Sequence, residues 1–243
     1  MFKGSEYFYY LMYAVGFFMT LFINLKTHDR YSLTKKKAVV YTVCMFLCGI
    51  VGALLMSDIY NACCKSIGVN ENSTVSIFGA VVFAPIFMTV FFLIEKSDAL
   101  RNLDMLTPGI FITLTCAKFG CFLDGCCMGV PYEKGIYNPI VETRVFPVQI
   151  CEVLSMIIML VLTQTYIKKG KNVPAGFNYP LTTAVYCVIR FLWEFMRYYD
   201  ESMRHGFFGV TFWQGWCIIM FVLSAVMMTV LKIRSGKNRV IEN

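Results

Sequence analysis

Seven apolar runs, each close to the length of a bilayer crossing, alternate along this chain with short connections in which basic residues collect. A helix needs about 20 apolar residues to cross a hydrocarbon core of roughly 30 Å. The runs near 7–24, 38–56, 74–94, 105–123, 145–167, 179–196 and 208–231 meet that length and predict seven spans. The composition agrees: 58 % of the 243 residues are hydrophobic, 15 % are charged, and the mean hydropathy is +0.62. The expected fold is an all-α integral membrane protein of seven transmembrane helices, a single polytopic membrane domain over residues 1–243.

Orientation follows from the basic residues of the loops. Lys26, Arg30, Lys35, Lys36 and Lys37 crowd the first connection, Lys96 and Arg101 the third, Lys168, Lys169 and Lys171 the fifth, and Lys232, Arg234, Lys237 and Arg239 the tail. These stretches read as cytoplasmic, so the N-terminus faces outward and the C-terminus inward. The net charge of +7 is explained by this bias. No interleaved basic and aromatic groove appears, so nucleic acid is not an expected partner. The first span lacks a preceding basic run and a following small-residue cleavage site, and reads as a span rather than a cleaved signal.

Charge inside the apolar runs carries the functional information. Arg190 and Glu194 stand at i and i+4 in the sixth run, and Arg197 continues their face one turn further. An ionised side chain at the bilayer centre costs roughly 2.5–3.5 kcal/mol on insertion scales, so such a stripe marks either a functional wall or a structural ion pair. A guanidinium at that position suits a phosphate, which it grips with two parallel hydrogen bonds.

Further polar groups fall on the same predicted outer side. Lys118 and Asp124 bracket the start of a loop over 120–144, Gln149 and Glu152 share a face at the outer end of the fifth span, Gln214 begins the seventh, and Tyr9 lies at the outer end of the first. The loop joins the fourth and fifth spans and holds Gly120, Gly125, Gly129, Pro131, Gly135 and Pro139. That density excludes a continuous helix and exposes backbone amides able to face an anion. Non-helical backbone at this depth must line a cavity or be buried in protein, so the loop is expected to rim a pocket for an anionic phospholipid head group.

Five of the eleven cysteines, Cys44, Cys48, Cys116, Cys187 and Cys217, sit within spans as small apolar fillers. Cys63, Cys64, Cys121, Cys126 and Cys127 fall on the outer side, where a thiol can be bridged or free and reactive. The last three lack a Cys-x-x-Cys spacing and a nearby histidine, which argues against zinc; neither a metal nor a cofactor is expected.

Several segments together resemble the phosphatidylglycerol:prolipoprotein diacylglyceryl transferases of bacterial plasma membranes. KFGCFLDGCCMG, from Lys118 to Gly129, is similar to that family's signature loop, with Asp104 and Pro108 matching the approach to it. FPVQICE, ending at Glu152, resembles the family's His-Pro-x-Gln-x-Tyr-Glu stretch, and RFLWEFMR, from Arg190, resembles its Arg-x-x-x-Glu-Phe helix. FYYLMYAVGF resembles its first span and puts Tyr9 at the family's functional tyrosine. This chain differs at several positions: Lys118 replaces the signature arginine, Cys121 its asparagine and Cys126 its acidic residue, Leu54 stands at a further arginine, and Phe78 at a histidine. The histidines present are His28, read as cytoplasmic, and His205, in the last outer loop.

The resemblance implies a seven-span fold with an outward N-terminus in the bacterial plasma membrane. It also implies transfer of a diacylglyceryl group from phosphatidylglycerol, a membrane lipid, to the lipobox cysteine thiol of a preprotein signal peptide. Tyr9, Glu152, Arg190 and Glu194 are then the catalytic candidates, with Glu152 or Glu194 as general base. Lys118, Gly120, Cys121, Asp124, Gly125, Gly129, Gln149 and Gln214 are the candidates for holding substrate. Two other readings stay open: a family member that binds the head group without catalysis, and a thiol-based group-transfer or redox enzyme using the outer cysteines.

Overall fold

The computed structural model describes residues 7–66, 68, 76–169, 173–199 and 210–241, with α7 side chains described as far as residue 235. Thr74, Lys171, His205 and Phe208 lie outside the described residues, as do the side chains of Lys237 and Arg239. Seven long helices run in the order α1 (Tyr7–Thr27), α2 (Lys35–Ser66), α3 (Ile77–Ile94), α4 (Ala99–Asp124), α5 (Val148–Lys169), α6 (Asn178–Glu194) and α7 (Phe212–Ile241). Six of them, all but α6, are long and apolar enough to cross a membrane. The sixth predicted span becomes a helix of 17 residues that carries Asn178, Thr182, Thr183, Arg190 and Glu194 on its buried side. Its polar face is covered by protein, which is how an intramembrane charge avoids lipid.

Small and polar residues let the helices approach one another, as membrane helices require where lipid supplies no hydrophobic contrast. Thr20 of α1 donates to the Gly109 carbonyl at 3.0 Å and lies 3.1 Å from the Thr113 hydroxyl, joining α1 to α4. Asn24 donates to Thr42 at 2.9 Å across α1 and α2. Tyr179 reaches from α6 to the Val81 carbonyl of α3 at 3.0 Å. Large apolar side chains such as Phe18, Leu93 and Leu162 face outward, where a lipid phase would cover them.

At one end of the bundle, Glu95 after α3 accepts from Lys37 at 2.9 Å and from Tyr41 at 2.6 Å. Asp104 of α4 accepts the amides of Gly176 at 2.7 Å and Asn178 at 2.9 Å, which fixes the start of α6. The opposite end gathers the start of α1, the end of α4, the start of α5, the end of α6 and the start of α7. It is the end at which the sequence placed its polar groups.

The connection between α4 and α5 departs from the expected run of turns. Strands β1 (Pro131–Asn138) and β2 (Thr143–Val145) pair antiparallel, with Ile136 opposite Val145 and Asn138 opposite Thr143, and a bulge lies between Pro131 and Ile136. Among the described residues the fold is thus helical with one small hairpin. Glycine and proline density hid it because a bulged hairpin breaks the period-two pattern on which strand reading depends. The loop also begins later than expected, since α4 runs through Gly120 to Asp124. Cys63 and Cys64, placed in a loop by sequence, belong to the last turns of α2.

Candidate functional site

Glu152, in the second turn of α5, is the centre of the polar end. Its Oε1 takes Arg190 Nη1 of α6 at 3.2 Å, and its Oε2 takes Arg197 Nη2 at 2.6 Å, with Lys118 Nζ of α4 at 3.5 Å. Glu194 lies beside it, in contact with Arg190 one turn earlier and with Arg197 Nε at 3.6 Å. Its other oxygen accepts from the Tyr199 hydroxyl and from Thr211 at 3.1 Å. Burial, followed by the Glu194 charge, pushes the Tyr199 phenol up, so this hydroxyl keeps its proton and donates.

The five charged groups are each 2–7 % exposed. Three cations face two carboxylates within a buried site. Every oxygen of the two carboxylates meets a cation or a hydroxyl. Both carboxylates thereby frame the three cations. Three buried polar atoms beside them have no hydrogen-bond partner, namely Arg197 Nε, Gln149 Oε1 and Tyr186 Oη. Orphaned groups of this kind call for a polar ligand or water.

The loop after α4 is tied into this centre. Gly125, at φ +76°, ends α4 in the left-handed conformation that glycine adopts without a Cβ clash, and turns the chain back over the helix end. Gln149 Nε2 donates to the Cys126 carbonyl at 2.6 Å. The backbone then pairs with the segment after α6: Tyr198 N donates to Met128 O at 3.1 Å and Val130 N to Met196 O at 3.0 Å. At Gly129 a Cβ would press on the Phe146 carbonyl oxygen and come within 2.9 Å of Met196 O, so only glycine allows this crossing. The pairing is what carries Arg197 to Glu152.

The remaining candidates fall in distinct places. Asp124 accepts the amides of Tyr9 at 2.7 Å and Phe8 at 3.3 Å, capping α1 from α4. Gly120 sits within α4 against the Tyr9 backbone. The Tyr9 ring stacks over Tyr13, with centroids 6.4 Å apart, and its side chain lies near Cys121, Cys126 and Cys127. Gln214 accepts from Thr211 N at 3.0 Å and donates to Phe191 O at 3.4 Å, closing the start of α7 on α6. Phe78 is buried between Tyr186 and Trp213.

All eleven cysteines are free thiols. The Sγ atoms of Cys121, Cys126 and Cys127 lie within 4.8 Å of one another. The neighbouring Cys121 and Cys126 thiols, with Lys118 and Arg197, hold the Cys127 thiol well below its usual range.

A small cavity of about 40 Å³ lies among α1–α4, lined mainly by apolar surface that includes Tyr13, Met45, Phe46 and Val81.

Sequence reading identified Arg190, Glu194, Lys118 and Glu152, and the fold brings all four together. It noted Arg197 as part of the stripe without assigning it to the site, although its i+3 spacing from Glu194 was a usable signal. Tyr199 and Thr211 carried no such signal, since they reach Glu194 only through the geometry at the ends of α6 and α7.

Comparison with known proteins shows the family of the chain. Residues 5–230 match the family model described as prolipoprotein diacylglyceryl transferase. A phosphatidylglycerol–prolipoprotein diacylglyceryl transferase of Clostridium tetani is 26 % identical over 128 residues, covering 50 % of this chain and 51 % of the relative. The enzyme of that name from Chlorobaculum tepidum is 27 % identical over 179 residues, covering 72 % of this chain and 61 % of the relative. One from Dehalococcoides mccartyi is 28 % identical over 134 residues, covering 52 % and 51 %. The chain thus spans about half to three fifths of the length of these curated relatives. With nearly its whole length matched by one family model, the chain belongs to the prolipoprotein diacylglyceryl transferase family.

Proposed function

We propose that this protein transfers a diacylglyceryl group from phosphatidylglycerol to the lipobox cysteine thiol of a secreted preprotein, at the outer face of a bacterial plasma membrane. In this reading α6 is the seventh crossing, roughly 25 Å long at 1.5 Å per residue, and the polar end faces outward. The observation that carries the proposal is the gathering of three buried cations, Lys118, Arg190 and Arg197, around Glu152 and Glu194. The phosphodiester of phosphatidylglycerol carries a negative charge that such a cluster attracts.

The chemistry follows from that placement. The thiol sulfur attacks the glyceryl carbon, a carbon–sulfur bond forms, and the carbon–oxygen bond to phosphate breaks, releasing glycerol 1-phosphate. The thiol proton ends on the released phosphate or in solvent. Negative charge grows on the departing oxygen, and buried cations fixed in advance by carboxylates stabilise it without reorganising. Arg190 and Arg197 supply planar donors and Lys118 a point charge. Tyr9 stacks on Tyr13 and lies beside the loop cysteines.

The deciding experiment incubates the purified chain with phosphatidylglycerol vesicles and a lipobox peptide, and looks for the thioether by mass spectrometry. Product that is lost in Arg190→Ala supports the reading. Arg190-dependent lipid binding with no product at any enzyme concentration would overturn transfer in favour of head-group binding alone, a reading favoured by the buried Phe78 where the family resemblance places a histidine.

A further inference from the structure

The thiols of Cys121, Cys126 and Cys127 are not used by the site as described. They come from two elements. Cys121 lies on the last turn of α4 and is buried, while Cys126 and Cys127 follow the turn at Gly125 and are progressively more exposed. The turn folds the two later residues back over the helix end, and Cys126 Sγ lies 3.6 Å from the Cys121 carbonyl. Their three sulfurs fall within 4.8 Å of one another.

A zinc ion binds thiolate at about 2.3 Å, which puts sulfurs around a shared ion roughly 3.7–4.0 Å apart. The observed triangle is wider by less than about 1 Å, within the reach of small side-chain rotations. A bridge between Cys126 and Cys127 fits less well, because adjacent α-carbons are about 3.8 Å apart and disulfides span about 4.4–6.8 Å. The loop holding the thiols is also fixed from outside the triangle. Gln149 holds the Cys126 carbonyl, and Tyr198 N holds Met128 O. A chelate whose backbone is already anchored loses little freedom on binding.

We infer that Cys121, Cys126 and Cys127 form a three-thiolate site for a thiophilic divalent ion of the zinc class, with its fourth position open at the exposed Cys127 edge. Three protein ligands and one exchangeable position is the arrangement of a catalytic rather than a structural zinc site. A thiol entering that position loses its proton to solvent and binds as thiolate. Resting on the transfer reading above, the occupant of the fourth position is the acceptor cysteine thiol. Its sulfur, still electron-rich, forms the bond to the glyceryl carbon as the carbon–oxygen bond to phosphate breaks. The resulting thioether is a weak ligand and leaves. This assigns deprotonation of the acceptor to the ion, in a site where every oxygen of Glu152 and Glu194 is already engaged. Spacing in the sequence argued against zinc, because it shows neither the turn at Gly125 nor the return of the loop over Cys121.

The test is a metal titration of the full-length protein in detergent, reduced and free of lipid and peptide. Cobalt(II) should bind at one equivalent per chain with a thiolate-to-cobalt charge-transfer band, and zinc should displace it. X-ray absorption of the zinc form should show three sulfur neighbours at about 2.3 Å. Cys127→Ser, at an exposed position, should abolish the band while the helical circular dichroism is retained, and Cys63→Ser should leave the band unchanged. Absence of a charge-transfer band, a band that survives Cys127→Ser, or a Cys121–Cys126 or Cys121–Cys127 disulfide after purification without reductant would each overturn the site. Adding a lipobox peptide to the cobalt form should shift the ligand-field spectrum, and an unshifted spectrum would overturn the assignment of the fourth position. These readouts involve no turnover, so a failed transfer assay beside an intact cobalt spectrum rejects the transferase reading and leaves the metal site standing.

Discussion

Arg197 and Glu152 meet at 2.6 Å, although 45 positions separate them and Arg197 lies beyond the end of α6. The contact depends on the strand-like pairing of the segment after α6 with the loop after α4, where Tyr198 N binds Met128 O. The charged centre is therefore assembled by two connections as much as by helices. Its energetics follow from that.

Glu152 compensates three buried cations at once. Replacing it with glutamine keeps the volume and removes the charge, leaving Lys118, Arg190 and Arg197 with Glu194 as their remaining carboxylate in the cluster. Removing one partner of a buried ion pair costs about 3–5 kcal/mol, because the charges left behind lose compensation without regaining water. Glu152→Gln should therefore lower the unfolding midpoint in detergent sharply, well beyond the effect of Glu133→Gln on the exposed face of β1. Equal midpoints for the two variants would show that Glu152 does not hold the cluster.

Asp124 is a test of position rather than chemistry. Its carboxylate receives two amides of the first turn of α1, at Phe8 and Tyr9, and so joins α1 to the end of α4. Loss of such a cap costs about 0.5–2 kcal/mol. Asp124→Ala should speed amide exchange across the first turns of α1, while Asp124→Asn, which keeps an acceptor oxygen, should restore most of the protection. A variant that lost lipid binding with α1 protection unchanged would instead place Asp124 in contact with substrate.

How much was legible in the sequence follows from which interactions are local. Arg190 and Glu194 declare themselves because a helix brings i and i+4 together wherever it lies. Lys118 and Glu152 were readable as sharing one side of a membrane, which the alternation of spans imposes, but their 3.5 Å contact needed the tertiary fold. Asp124 reads as a candidate for holding substrate, and its contact with α1 is not legible because an acidic residue in a glycine-rich loop gives no hint that another helix begins against it. The three-thiol cluster was hidden for the same reason, since Gly125 reverses the chain and defeats any argument from spacing. The sixth predicted span becomes a helix of 17 residues that buries its polar residues against the bundle, and it is shorter than the six helices long and apolar enough to cross a membrane.

At the other end of the bundle, pH should act through Glu95. The hydrogen bond from Tyr41, and then that from Lys37, hold its carboxyl below the usual range. A carboxyl depressed in the folded state stabilises the fold above its unfolded value of about 4.3, and that contribution is lost as pH falls through the folded value. Stability of the native protein should thus decline below about pH 4.3 more steeply than that of Glu95→Gln. The pair is partly solvent-exposed and salt should shrink the difference. Identical acid limbs for the two proteins in low salt would remove Glu95 from the account.

Gly129 offers the most direct test of the link between loop and charge centre. Its missing side chain leaves room for two backbone carbonyls, those of Phe146 and Met196, and backbone oxygens cannot rotate away as a flexible side chain would. Adding one methyl group by Gly129→Ala must separate the loop from the segment after α6, and with it Arg197 from Glu152. The expected cost is at least about 2 kcal/mol, in the range of overpacking at a tight contact. Gly215→Ala is the matching control, because a Cβ there meets nothing within 4 Å and alanine favours the α7 helix by up to about 1 kcal/mol. Gly129→Ala should lose both unfolding midpoint and any Arg190-dependent lipid binding, whereas Gly215→Ala should keep both. If Gly129→Ala bound lipid as well as the native protein, the close crossing of the two connections would have no part in forming the site.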